Sequence, residues 1–69
     1  MENNFKALRH RVGMEKGEFA VYLGIAQSHY SKWENQKMQP DRDSMIAAWL
    51  KLKELLPGLN LQDLVKLPE

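Results

Sequence analysis

The side chains whose types and spacing point to chemistry crowd into residues 27–37. With Gln27 set at zero and about 100° per residue, Ser31, Asn35, Ser28 and Lys32 all fall between about 40° and 140° on a helical wheel. That face offers an amide, two hydroxyls, a second amide and a cation, with no acid and no bulky apolar group. Tyr30 and Trp33 fall on the other side, with Glu34 beside them. Such a face suits hydrogen bonding and attraction of anions rather than bond making. Covalent and metal chemistry find little support. There is no Cys, which removes disulfides, thiolate metal sites and cysteine nucleophiles. His10 and His29 are too few for a ligand cluster. No nucleophile–base pair, phosphate loop or metal set is brought together by the helix phases. An enzyme is therefore the least supported class, and no cofactor or small-molecule ligand is implied.

The elements that must position this face are short. The chain has 69 residues, room for one domain spanning 1–69, with 66–69 expected to fray. A domain of this size buries only about 60% of the surface its unfolded chain exposes, so it needs an efficient fold. With 43% apolar residues it can build a core. Net charge is +1, which by itself does not mark a nucleic-acid binder. The distribution leans slightly: residues 1–40 carry six basic and four acidic side chains, residues 41–69 four and five. No apolar run approaches the ~20 residues of a membrane span, and Met-Glu-Asn-Asn is no signal-peptide start. A soluble cytoplasmic domain is expected.

Helical periodicity runs throughout, and no strand-like alternation appears. Phe5, Leu8 and Val12 make one stripe over about 4–12, stopped by Gly13. A second helix over about 15–23 carries Phe19, Ala20 and Leu23 inward, with Gly17 as a weak point of ~1 kcal/mol relative to Ala. Gly24-Ile25 breaks the pattern before a third helix over about 26–35. Pro40 ends a polar loop, Asp41 is a good N-cap, and Met45, Trp49, Leu52 and Leu56 form a long stripe. Pro57-Gly58 closes it. Asn60 and Asp63 favour the start of a fifth short helix bearing Leu61, Leu64 and Val65. The expected fold class is all-α, five short helices. Phe5, Leu8, Val12, Phe19, Leu23, Ile25, Tyr30, Trp33, Met45 and Leu52 are its expected core.

The run from Phe19 to Pro40, with Ala20, Leu23-Gly24-Ile25, Trp33-Glu34-Asn35 and Pro40 at their spacings, resembles the Cro/C1-type (Xre-family) helix-turn-helix. The resemblance covers residues 5–40 well and 41–65 in general form. It implies a compact, lambda-repressor-like five-helix fold whose second and third helices form the helix-turn-helix. It also implies a bacterial or phage-encoded, repressor-like transcription regulator, binding operator DNA as a dimer with the third helix in the major groove. Three departures from the family pattern stand out. Glu15-Lys16 opens helix 2 where Thr-Gln is usual, Ala26 replaces the usual Ser cap, and Gln36 replaces the usual Gly after Glu-Asn.

Carried over residue by residue, the resemblance implies base contacts from Gln27, Ser28 and Lys32. An amide pairs bidentately with adenine, a lysine donates to guanine or phosphate, and a serine pairs with several bases. Lys16, Asn35 and Lys37 match phosphate-contacting positions, with His29, Ser31 and Arg42 flanking. Such contacts set register on the duplex without reading sequence. The family pairs the positions of Arg9 and Glu34 in a structural ion pair between helices 1 and 3. Trp49, Leu55, Leu59 and Leu67 exceed what five short helices easily hide, so a homodimer through helices 4 and 5 is expected around Trp49, Leu59, Leu64 and Leu67. A rival class is a helical protein-interaction adaptor or antitoxin using Val21, Tyr22 and Trp49 on a partner protein.

Overall fold

The computed structural model describes residues 2–66. Helix α1 spans Phe5–Val12 and buries Phe5 and Leu8. It ends at Gly13, whose φ of 73° is the left-handed stop a glycine supplies without strain. Arg9, His10 and Arg11 stand in its last turn, where cations complement the negative helix end. Helix α2 spans Lys16–Leu23, and the Glu15 N–H donates to Glu18 Oε1 at 3.1 Å across its first turn. Helix α3 spans Gln27–Glu34 and helix α4 Arg42–Leu55. At the start of α4 the Ser44 N–H donates to Asp41 Oδ1 at 2.7 Å. That backbone bond holds the Asp41 carboxyl below its ordinary value of 3.8.

The expected fifth helix is not an α-helix. The described residues form four α-helices and then a single 3₁₀ turn, Leu61–Leu64. Gly58, at φ 90°, reverses the chain after α4, and Leu59 drops into the core. The Asn60 N–H donates to Asp63 Oδ2 at 2.8 Å, which closes the turn within four residues. Val65 then leaves in extended backbone and forms an antiparallel bridge with Asn3. The Asn4 N–H donates to the Leu64 carbonyl and the Lys66 N–H to the Glu2 carbonyl, both at 2.8 Å. The residues that would have continued a helix are spent on tying the two ends of the chain together. This bridge is the one piece of extended pairing among the described residues, where the sequence pattern suggested none.

The core is an aromatic cluster with aliphatic walls. Phe5, Phe19, Tyr30 and Trp33 are buried, with ring centroids 5.4–6.3 Å apart for the pairs Phe5–Tyr30, Phe5–Trp33, Phe19–Tyr30 and Tyr30–Trp33. Edge-to-face aromatic pairs in this range add about 0.5–1.5 kcal/mol beyond area burial. Leu8, Leu23 and Leu52 are buried as expected, joined by Ala20, Ala48, Leu59 and Leu64. Val12, Ile25 and Met45, expected inside, are half-buried and pack on the rim of this cluster, because it is centred on the α3 aromatics.

Two of the residues assigned to a dimer face are therefore corrected. Leu59 and Leu64 are 5% and 0% exposed and belong to the core of the single chain. Closing the small core takes Leu59 after Gly58 and Leu64 at the end of the 3₁₀ turn, while Leu61 stays exposed. Trp49 is half-buried: its indole N–H donates to the Leu59 carbonyl at 2.8 Å, and Lys53 Nζ lies 4.6 Å from its ring centre. Leu67 lies outside the described residues. The large apolar groups most open to solvent are Val21 and Leu50, at 79% and 55%.

Candidate nucleic-acid interface

The turn between α2 and α3 is built by Gly24. It takes φ 77°, and its N–H donates to the Val21 carbonyl while the Ile25 N–H donates to the Ala20 carbonyl, both at 3.0 Å. These bonds satisfy the carbonyls left open at the end of α2 and aim the chain into α3. Ala26 precedes α3 in extended backbone with no side-chain cap, and its carbonyl accepts from Tyr30 N–H at 2.9 Å. Replacing a Ser-type cap by Ala costs about 1 kcal/mol. It also leaves the first N–H groups of α3 without a side-chain acceptor, so the positive end of the helix stays open.

Tyr30 and Trp33 hold α3 down. Glu34 is also buried, its side chain 3% exposed, and Arg9 of α1 reaches it. Arg9 Nε donates to Glu34 Oε2 at 2.6 Å, and Tyr30 Oη donates to the same oxygen at 2.5 Å. Arg9 Nη1 donates to the Met14 carbonyl at 3.1 Å, which joins the end of α1 to the approach to α2. Burial alone would raise the Glu34 pKa, but the hydrogen bonds from Arg9 and Tyr30 outweigh it and hold the carboxyl below its ordinary value of 4.5. Burial, reinforced by the Glu34 charge, pushes the Tyr30 hydroxyl well above its ordinary 10.0. The bond to Glu34 likewise raises Arg9, so both members of the pair stay ionised.

With that anchor in place, α3 turns its other side to solvent. Gln27, Ser28 and Lys32 are exposed, and so are His29 and Asn35. The His29 ring stands edge-on to Trp33 at 5.4 Å, so this histidine also covers the core. Ser31 is half-buried, and Lys16 Nζ donates to its hydroxyl at 3.3 Å, a cross-link between the start of α2 and the middle of α3. Lys37 is exposed in the loop after α3, and Arg42 is exposed at the first position of α4. Gln27, Ser28 and Lys32 thus share one element with Asn35 beside them, Lys16 and Ser31 touch, and Arg42 stands apart on another helix.

The far end of α3 shows what sequence patterns missed. Gln36 takes φ 60°, the left-handed region, where a non-glycine residue costs about 1–2 kcal/mol. Its side chain compensates by pairing with a backbone like a strand. Asn3 N–H donates to Gln36 Oε1 at 3.1 Å, and Gln36 Nε2 donates to the Asn3 carbonyl at 3.2 Å. Asn3 itself is 1% exposed and donates from Nδ2 to the Trp33 carbonyl at 2.7 Å. An Asn two residues before a helix carries no motif that could announce this. A groove of about 590 Å³ lies beside this junction and is lined by residues that include Lys6, His10, Glu34 and Gln36.

Among the described residues no group of His, Asp and Glu side chains could hold a metal ion, and no helix is long and apolar enough to cross a membrane. No curated protein and no solved structure matches the chain at a significant level. The helix-turn-helix family model matches residues 5–48, a span that takes in α1, the α2–Gly24–α3 unit and the first half of α4. The chain belongs to the Cro/C1-type (Xre) helix-turn-helix family, a family of DNA-binding regulators.

Proposed function

We propose that this chain is a sequence-specific, repressor-like transcription regulator that reads the major groove with α3. The observation that carries the reading is the exposed face of Gln27, Ser28 and Lys32, free of acidic side chains and set by a glycine turn and a buried ion pair. In this reading Gln27, Ser28 and Lys32 meet base edges. Lys16, Asn35 and Lys37 meet phosphates, as do His29, Ser31 and Arg42 at the margins. Lys16, placed on Ser31, presents its charge beside the open start of α3. Residues 1–69 act as one domain, in the cytoplasm of a bacterium or from a phage genome, without cofactor or catalysis.

One helix reads only a few base pairs, and each correct pair discriminates by about 1–3 kcal/mol. A dimer on an inverted repeat doubles that, with recognition helices about 34 Å apart. With Leu59 and Leu64 committed to the core, the partner surface falls to exposed apolar groups of α4 and the 3₁₀ turn, Leu50, Leu55 and Leu61, beside Trp49.

The test is selection from random duplexes, followed by titration of the selected and a scrambled duplex at two salt concentrations. Gln27→Ala and Lys32→Ala should lower the ratio of specific to scrambled affinity. Lys16→Ala and Lys37→Ala should weaken both duplexes alike and reduce the salt slope by about one unit each. An unchanged ratio in the first two variants ends the reading of α3 as the reader. The second reading, a protein-interaction adaptor or antitoxin, is favoured by the 79% exposure of Val21 on α2. Lys32→Glu separates the two: it abolishes DNA binding under the first and leaves partner binding intact under the second.

A further inference from the structure

Gly17 is the second residue of α2. Alanine is the better helix former there, and the backbone does not call for glycine, because Gly17 is not among the residues with positive φ. What glycine provides is space. A Cβ built on Gly17 would meet one side chain, the terminal amide of Gln27, with Oε1 at 3.1 Å and Cδ at 3.6 Å. The first of these is tighter than ordinary van der Waals contact between heavy atoms, so the amide would have to move. Gln27 is exposed, and among the described residues its side-chain amide has no hydrogen-bond partner, so little else fixes where it lies.

We infer that Gly17 is a specificity-determining residue: its missing side chain lets the Gln27 amide lie across the first turn of α2, which sets the direction in which that amide meets a base. The inference rests on the proposed reading of α3. A bidentate amide–adenine contact needs both polar atoms aimed together, and a side chain already resting in its binding orientation gives up less rotamer freedom on binding. Gly17 touches no base in this scheme. It acts through Gln27 and is a positioning residue, while the cation next to it, Lys16, is held on Ser31.

The experiment compares wild type, Gly17→Ala, Gln27→Ala and the double variant on the duplex selected by wild type and on its scrambled form. Gly17→Ala should melt at or above the wild-type temperature, because helix propensity improves and the displaced amide moves freely into solvent. Its ratio of specific to scrambled affinity should fall about tenfold, the scale of one good bidentate pair, with scrambled affinity unchanged. In the Gln27→Ala background the same substitution should change the ratio no further. In the protein without DNA, the Gln27 side-chain amide resonances should shift in Gly17→Ala. A wild-type ratio in Gly17→Ala, a loss that adds to that of Gln27→Ala, or a lower melting temperature overturns the inference. If wild type prefers its selected duplex and Gln27→Ala loses that preference while Gly17→Ala keeps it, only the positioning role fails. If wild type prefers no duplex, the proposed function fails and this inference with it.

Discussion

Glu34→Gln is the sharpest perturbation of the anchor beneath α3. The carboxylate side chain is 3% exposed and takes two short hydrogen bonds on one oxygen, from Arg9 at 2.6 Å and Tyr30 at 2.5 Å. Removing one partner of a buried pair costs about 3–5 kcal/mol, because the remaining charge is left unpaired. Arg9 keeps 13% exposure and its bond to the Met14 carbonyl, and glutamine still offers Tyr30 an acceptor. The lower end, about 3 kcal/mol, is expected. At about 4–8 °C per kcal/mol for a domain this small, the melting temperature should fall by about 12–24 °C. The pH dependence supplies a second readout. The folded pKa of Glu34 lies below its ordinary 4.5, so its contribution is complete above pH 4.5 and is lost as the pH falls through the folded value. The stability gap between wild type and variant should therefore be constant from pH 7 to about 5 and shrink below that. Asp41, shifted in the same direction, is present in both proteins and cancels. Thermal and urea melts followed by circular dichroism at fixed ionic strength measure this. A cost no larger than that of Lys32→Ala, or a gap that does not narrow in acid, refutes the assignment.

The packing sets two further outcomes. Asn3→Ala should lose about 2–3 kcal/mol in urea melts, since it leaves the buried Trp33 carbonyl and Phe5 N–H without their side-chain partner. A neutral result would show that the terminal segment does not hold α3. Leu64→Ala should destabilise the folded chain by about 2–5 kcal/mol, whereas Leu61→Ala, at 37% exposure, should leave stability nearly unchanged. The reverse order would return Leu64 to a subunit interface.

Elements whose formation depends on local pattern could be read directly. The stripes Phe5-Leu8 and Phe19-Ala20-Leu23 and the stops Gly13 and Gly24 place α1, α2 and the turn to within a residue. The aromatic side of α3 was equally clear, because Tyr30 and Trp33 share one side of a helix whose other side is polar throughout. The C-terminal segment departs from its local pattern for a physical reason. Asn60, Asp63 and the leucines carry an N-terminal helix signal, and that signal holds for one turn only. After Leu64 the path of the chain is decided by pairing with residues more than 60 positions earlier, which no local periodicity reports. The same distance misassigned Leu59 and Leu64: their apolar character was evident, but whether it faces the core or a partner depends on the path of the chain after Gly58. Of the candidate site, the phase of the polar face on α3 was legible. The contacts around it, Lys16 with Ser31 and the Gln27 amide over Gly17, join separate elements and carry no motif.

The departure at Gln36 shows how such long-range contacts bear on α3. A glycine at that position would take φ 60° without strain but would make neither side-chain bond to the Asn3 backbone. Glutamine accepts the strain, and its amide then completes both backbone groups of Asn3. Asn3 in turn reaches the Trp33 carbonyl, and its bridge to Val65 brings in the C-terminal segment. The C-terminal end of α3 is thereby held by both terminal segments and, at its last residue, by the Arg9–Glu34 pair, while its N-terminal end is held by the Gly24 turn. A helix of eight residues with an uncapped start has little stability of its own. Its orientation comes from these three attachments, two of which pass through residues that never face solvent, so substitutions at Asn3 or Glu34 would disturb the α3 face without touching any residue on it.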